Sequence, residues 1–534
     1  MSQPAAAAES GGAGWRARLA APRVAVPVLF AAAALLSAVT MLQGIQVNDE
    51  GLMLQAAARI AEGQVPYHDF WWYYPPGQPY LLGGLWGAFG PSLLAWRIVR
   101  VLADATVAVL AYGLARRAAP PPLALAAWLA SALAMAYPSG PHPFPIALAL
   151  CLGALLLFER RPALAGLLAG VCAVWRIEFA GYLALGIAAA LLAAPLARGE
   201  RLRRLGRFAA AAAAAAAVLF APVVLSAGLA DSWDLLIRYP VQDFADYQSL
   251  PFPFDYAGPL NTSSPGGFVS DSLEPLLLFY LPLALMAGLA AALAALAVRW
   301  QRARDWPRLA AAILGIGMAH YLLVRPDEFH TAPLAVLVAV LAAWALAGPR
   351  PAGSWRRPAA LGAAGVAAVA LAYAVVEGLD RRALALNEDT VALGLPGADG
   401  VRVRRADAAG LQAAVRDVRA RVPAGAPIYV TTRRSDLVTS GAPLFYVLAG
   451  RQNPTRYDIA APGVVTSAPV QREIVRDLER TRTPVVVRFD SPLTAAPEPN
   501  RAGTSSGVRI LDAYLARAYR PAARHGDWVI LVRR

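Results

Sequence analysis

The chain has 534 residues, of which 58% are hydrophobic and only 16% charged. A soluble domain carries about 25% charged residues, so this composition excludes an ordinary water-soluble protein over most of its length. The formal charge of +14 comes from arginine alone, with no lysine. Those arginines sit between apolar blocks and not along one stripe, which argues for lipid-headgroup anchoring and against nucleic acid.

Residues 1–23 are rich in Ala, Gly and Ser and end in arginines, which predicts a disordered cytoplasmic N-terminus. The apolar run Val24 to Ile45 is longer than a signal-peptide core, and no convincing small-residue cleavage site follows it. It is expected to be an uncleaved first span. Further apolar stretches fall at residues 94–115, 121–138, 143–158, 162–175, 179–197, 208–228, 273–298, 308–324, 332–347 and 358–376. A bilayer core takes roughly 20 helical residues, so the pattern predicts about eleven spans over residues 24–376. Cys151 and Cys172 both lie inside these blocks, where thiols serve as small packing groups.

Arginine placement orients the bundle. Arg16, Arg18 and Arg23, Arg116 and Arg117, Arg160 and Arg161, and the run Arg198 to Arg207 fall in loops on one side. The same side holds Arg299, Arg302, Arg304 and Arg308, then Arg350, Arg356 and Arg357. The positive-inside rule puts these in the cytoplasm, and an odd number of spans then sends the C-terminus outside a plasma or inner membrane.

Two outer loops are long, residues 47–93 and 229–272. In the first, Gly51 to Glu62 reads as a short amphipathic helix, and Pro76 to Phe89 as an interfacial helix too short to span. The second, around Tyr239 to Tyr256, mixes aromatics, prolines and aspartates. Residues 377–534 alternate helical and strand patterns: helices over 411–422, 470–480 and 509–518, strands over 427–431, 485–489 and 528–532. That predicts a small extracytoplasmic α/β domain after a mainly α transmembrane bundle. No metal motif is present, and no cofactor is expected.

Three clusters bear chemistry. Asn48-Asp49-Glu50-Gly51 follows the first span directly, and a carboxylate pair there can supply a general base to a hydroxyl. The same residues also suit the cap and first turn of a helix, and both readings stay open. Val174-Trp175-Arg176-Ile177-Glu178-Phe179 puts Arg176 and Glu178 at or near membrane depth, where charges are costly. A tight turn with a self-neutralising pair is the alternative. Arg325-Pro326-Asp327-Glu328-Phe329-His330 packs a cation, acids and an imidazole into another short outer turn, with His320 a span-depth below. Arginine takes phosphate in a fork, and histidine donates to it or moves a proton. His142, in a proline-rich turn, is a weaker addition. Topology places all of these on one outer face.

The first loop carries a further pattern: Asp49-Glu50, then Ala61-Glu62-Gly63-Gln64-Val65-Pro66-Tyr67-His68-Asp69, Tyr74-Pro75-Pro76-Gly77, and Gly90 and Arg97 where the next span begins. This arrangement resembles the GT-C membrane glycosyltransferases, in particular the glycosyltransferase family 39-like group of protein O-mannosyltransferases and lipid A aminoarabinose transferases. The resemblance implies a polyprenyl-phosphate-linked sugar as donor, a glycan, lipid or protein as extracytoplasmic acceptor, and inverting transfer with Asp49 as base and Glu50 beside it. Asp69, His142, Arg176, Glu178, Arg325, Asp327 and His330 are the expected substrate-binding set. Pro75-Pro76-Gly77 stands where the aminoarabinose transferases carry a lysine-bearing version, so donor sugar and acceptor stay open. The rival reading is a multispan transporter or lipid-linked sugar flippase, because intramembrane charges also suit a substrate path. The absence of an internal repeat speaks against it.

Overall fold

The computed structural model describes residues 22–136, 143–251, 261–298, 306–347 and 356–534. Among these, a helix lies in each of the eleven apolar stretches, although the first ends at Ala38, seven residues short of the expected Ile45. They begin with α1 (Pro22–Ala38). After α2 (Asp49–Ala61) and α3 (Gly77–Phe89) in the first long loop, they continue as α4 (Leu93–Ala115), α5 (Pro121–Met135) and α6 (Phe144–Leu157). Then come α7 (Pro162–Ala173), α8 (Ile177–Ala193), α9 (Arg198–Ala227), α10 (Leu281–Val298), α11 (Trp306–Val324), α12 (Glu328–Ala347) and α13 (Arg356–Asn387). Helix α4, α9, α11 and most of α12 are long and apolar enough to cross a bilayer; α5 to α8 and most of α1 are apolar but shorter, at 10–17 residues. Prolines at the first turns of α5, α6 and α7 set where these short helices begin.

Small residues let the spans approach closely. Gly166 and Gly170, one turn apart on α7, lie against α9, and an added Cβ would sit 2.1 Å from Phe208 O and 2.3 Å from Ala212 O. This is the small-xxx-small contact by which membrane helices pack when lipid offers no hydrophobic drive. The last span runs unbroken to Asn387, eleven residues past the expected boundary, with Glu377, Arg381 and Arg382 in its final turns. Arg381 pairs with Glu377 (2.6 Å), while Arg382 donates to the Leu36 and Ala136 carbonyls, so the polar extension is tied to α1 and to the end of α5.

The C-terminal part holds a two-stranded hairpin, β1 (Thr390–Ala392) with β2 (Arg402–Arg404), and a four-stranded sheet. The sheet contains β3 (Ile428–Thr432), β4 (Val485–Phe489), β5 (Tyr519–His525) and β6 (Trp528–Arg533) in the order β3-β4-β6-β5, with β3 and β4 parallel and the rest antiparallel. The helices α14 (Arg405–Arg421), α15 (Ala468–Arg480) and α16 (Ile510–Ala518) pack on it. Strand β5 was not expected from sequence. It is an edge strand of mostly exposed residues, carrying Pro521 and two arginines, so the apolar alternation of a half-buried strand is missing.

One apolar core joins the first loop to this domain. Leu52, Met53, Tyr67, Phe70 and Trp72 share it with Val430, Phe445, Tyr446 and Leu448. A second core fills the bundle between the spans. The first loop is therefore held between the membrane part and the C-terminal domain.

Candidate active site

Helix α2 places the acidic pair. Side-chain capping is absent: Asn48 precedes the helix with helical backbone angles and makes no cap hydrogen bond. Its amide instead donates to Asp49 Oδ1 (2.8 Å), and its Oδ1 accepts from the Gly441 N–H of the C-terminal domain (2.8 Å). Gly51 lies against that same segment, where an added Cβ would meet Leu444 N at 2.1 Å. The start of α2 is thus clamped, and Asp49 is aimed by a neighbour that is itself fixed.

The two acids diverge one residue apart. Glu50 is 2% exposed and accepts two bonds from Arg97, Nε to Oε1 at 2.8 Å and Nη2 to Oε2 at 2.9 Å. Arg97 also donates to the Met41 and Gly44 carbonyls (2.6 and 2.7 Å), so the pair stitches the end of the first span to α4. Asp49 is exposed, yet the protein around it is dense enough that desolvation raises its carboxyl above the ordinary range. Asp49 is thus open to solvent on one side and walled by protein on the others. The Asn48 bond and the charge of Arg325 pull the carboxyl down and Asp327 pushes it up, with burial prevailing.

The other two clusters meet this recess. Gly77 N donates to Val174 O (2.7 Å), which seats the Pro-Pro-Gly turn on the turn that bears Arg176. Arg176 pairs with Glu178 (2.5 Å) and lies over the Tyr321 ring at 5.0 Å and the Phe179 ring at 5.7 Å. Its buried Nε has no hydrogen-bond partner among the described residues, which leaves a charged donor to turn toward an anion. Tyr321 stacks on His330 with ring centroids 4.5 Å apart. The His330 ring donates to Asp327 Oδ1 (2.5 Å), and Arg325 Nε to Asp327 Oδ2 (3.1 Å). Arg325 Nη1 and Nη2 then reach Glu498 at 3.1 and 2.8 Å. Tyr74 stands among all three clusters: desolvation raises its hydroxyl, with Asp49 adding to the rise and Arg176 and Arg325 opposing it. Tyr73, Tyr239 and Phe244 extend an aromatic wall beside it.

Of the expected residues, Arg176, Glu178, Arg325, Asp327 and His330 are joined in one chain of contacts through Tyr321, and Asp49 lies within electrostatic reach of Arg325 and Asp327. Glu50 is committed to Arg97. Asp69 is an exposed turn residue that accepts from Val65 N (2.7 Å) and pairs with the His68 ring (2.8 Å). His142 lies outside the described residues. Most of the polar face of α2 is not wet: Gln55 and Arg59 are 4% and 6% exposed, and Arg59 binds Asp458 at 2.5 and 3.0 Å, while Glu62 at the end of the helix is exposed. Asn48 and Tyr74 stood in the sequence patterns without an assigned role at the site, and Tyr321 and Glu498 were not singled out, since neither falls in a motif.

No family model matches the chain, and no curated protein matches it in sequence. Among solved structures it is similar to ArnT from Cupriavidus metallidurans bound to undecaprenyl phosphate, with a TM-score of 0.54 and 15% identity over 97% of this chain and 98% of that one. A second likeness is to the archaeal oligosaccharyltransferase AglB from Archaeoglobus fulgidus, in complex with an inhibitory peptide and a dolichol-phosphate. Its TM-score is 0.47, at 13% identity over 88% of this chain and 69% of that one. The near-complete overlap with the first, membrane part and C-terminal domain together, shows that this chain shares the fold of that structure.

Proposed function

We propose that this protein is a multi-pass membrane glycosyltransferase that moves a sugar from a polyprenyl phosphate to an extracytoplasmic acceptor. The observation that carries the proposal is the Asp49 carboxylate, reachable and desolvated in a recess whose other charges come from Arg176, Arg325 and His330. The ArnT structure holds undecaprenyl phosphate in the same fold, which supports a lipid-linked donor here. The arginine pattern of the loops supports an N-terminus in the cytoplasm and a C-terminal domain outside.

In this reading Asp49 takes the acceptor hydroxyl proton as the acceptor oxygen bonds to the anomeric carbon. The carbon–oxygen bond to phosphate breaks, and its electron pair leaves on the polyprenyl phosphate. Displacement from the opposite face inverts the anomeric centre. The Arg176 Nε and the Arg325 fork stabilise charge growing on the leaving oxygen; such preorganised donors are worth about 3–4 kcal/mol each. Desolvation makes the Asp49 carboxylate more basic than in water, which suits a proton acceptor. Glu50 positions its neighbour through Arg97.

The test supplies several radiolabelled polyprenyl-phosphate sugars to membranes holding the wild type or Asp49→Asn. Label moving to an acceptor only with the wild type is the expected result. Equal transfer by both proteins overturns the assignment of the base, and no transfer of any sugar favours the transporter reading.

A further inference from the structure

Five aromatic residues in succession, Phe70 to Tyr74, run into Pro75 and Pro76, which have no backbone N–H to donate. Other groups hold the segment in place. Trp71 N donates to Arg456 O (2.8 Å) at one end, and Gly77 N to Val174 O (2.7 Å) at the other. Between them the buried Tyr67 donates from its hydroxyl to Tyr74 O (2.6 Å). Tyr67 has a φ of +70°, a costly conformation for a bulky side chain. Such strain persists where the surrounding structure over-determines it, and here the strained residue fixes the backbone of Tyr74.

The Tyr74 hydroxyl is held as firmly as its backbone. Tyr73 OH donates to it (2.8 Å), and the two rings lie 4.1 Å apart. Tyr73 is buried and Tyr74 half-buried, so Tyr73 stands behind and Tyr74 is the reachable one. A hydroxyl that accepts from a neighbour still has one hydrogen to give, and accepting makes it a better donor. Among the described residues, no group takes that hydrogen. Desolvation raises the Tyr74 hydroxyl above its ordinary value, so it stays a neutral donor at working pH.

We infer that this hydrogen is given to an oxygen of the donor phosphate, which makes Tyr74 a binding contact of the lipid carrier; the inference rests on the function proposed above. Arg176 supplies the second half of the argument. Its buried Nε also lacks a partner among the described residues, and its turn is joined to the Tyr74 segment through Gly77. An added Cβ on Gly77 would lie 2.5 Å from Val174 O, so glycine is what lets the two turns approach this closely. Two unspent donors, one neutral and one cationic, thus come from adjoining turns. A phosphate, with several oxygens on one atom, accepts from both at once, where a single sugar hydroxyl would satisfy one. Asp49 lies within electrostatic reach of Tyr74, but its hydrogen bond is to Asn48, which leaves the carboxylate to the acceptor.

The experiment measures binding by the full chain in detergent, with two probes that differ only in headgroup, undecaprenyl phosphate and undecaprenol. Tyr74→Phe removes the hydroxyl and keeps the ring, but strands the buried Tyr73 hydroxyl. The double variant Tyr73→Phe/Tyr74→Phe removes both partners, so its unliganded thermal midpoint should match the wild type. Both variants should bind undecaprenyl phosphate about tenfold more weakly, the worth of one hydrogen bond to a charged group, with undecaprenol binding unchanged. Equal losses on the two lipids would show a packing defect and overturn the contact, as would a double variant that binds the phosphate like the wild type. A wild type that does not prefer the phosphate to the alcohol would overturn the lipid-phosphate donor itself, and this contact with it.

Discussion

Arg325 and Glu498 lie 173 residues apart and form a two-point ion pair, with Arg325 Nη1 and Nη2 on the two oxygens of one carboxylate. The carboxylate comes from the C-terminal domain and occupies the fork that a phosphate would use. Under the proposed function, Glu498 and a donor phosphate would compete for one guanidinium. Glu498→Gln should lower the donor KM by roughly tenfold, about the worth of one charge-assisted hydrogen bond. With the Glu498 side chain 31% exposed, the loss of stability should be about 1 kcal/mol or less. An unchanged or raised KM in steady-state assays would exclude Arg325 from the donor site.

Asp49→Asn keeps the shape of the side chain and an oxygen to accept from Asn48, but cannot take a proton. The rate should fall on the order of 100- to 10,000-fold. Expression, membrane insertion and thermal midpoint should match the wild type, since the Asp49 side chain bonds only its neighbour Asn48 among the described residues. Single-turnover transfer with purified protein checks the rate.

The pH profile carries the electrostatics. Transfer needs Asp49 ionised, so kcat/KM should fall as pH drops through its raised pKa, above the ordinary carboxylate range. Arg325 lowers that pKa and Asp327 raises it. Arg325→Gln should therefore move the acid limb to higher pH and Asp327→Asn to lower pH. Shifts of the same sign in both variants would show that the three groups do not share a recess.

A stability counterpart follows from Glu498. Burial alone would raise its carboxyl, but the Arg325 hydrogen bond and charge, with Asn500, hold it below its ordinary value. The clamp is fully present above the unfolded value and is lost as pH falls through the lowered folded one. Docking of the C-terminal domain, followed by limited proteolysis, should loosen in that acid window. In Glu498→Gln the same pH dependence should vanish.

Glu50→Ala leaves Arg97 buried with its charge unmatched. Removing one partner of such a pair costs about 3–5 kcal/mol, so yield and thermal midpoint should drop sharply, with activity lost alongside. Gly51→Ala should cost about 1–3 kcal/mol by forcing α2 away from Leu444, with transfer rate falling because Asp49 moves with the helix. Midpoints measured in detergent check both. A Gly51→Ala protein with wild-type activity would show that the domain contact does not aim Asp49.

Much of the local structure was legible because its causes are local. The spans follow from blocks of apolar residues, and α3 was visible as an apolar stretch too short to cross. Strands β3, β4 and β6 read as β-branched runs, whereas β5 did not, because an edge strand needs only one apolar neighbour. The capping reading of Asn48 failed because its side chain has a better partner 393 residues away, the Gly441 N–H.

By itself, the sequence determined that most of this chain is helix for a bilayer, and that acids, arginines and a histidine gather in short turns between spans. Hydrophobic length and residue type decide those matters, and neither depends on distant contacts. Only the tertiary structure decided which charges are spent on holding the fold and which line a recess. Glu50 meets Arg97, Arg59 meets Asp458 and Arg325 meets Glu498 across 47, 399 and 173 residues. Charge pairing is set by where folded segments touch, so two adjacent acids, alike in sequence, end with different tasks.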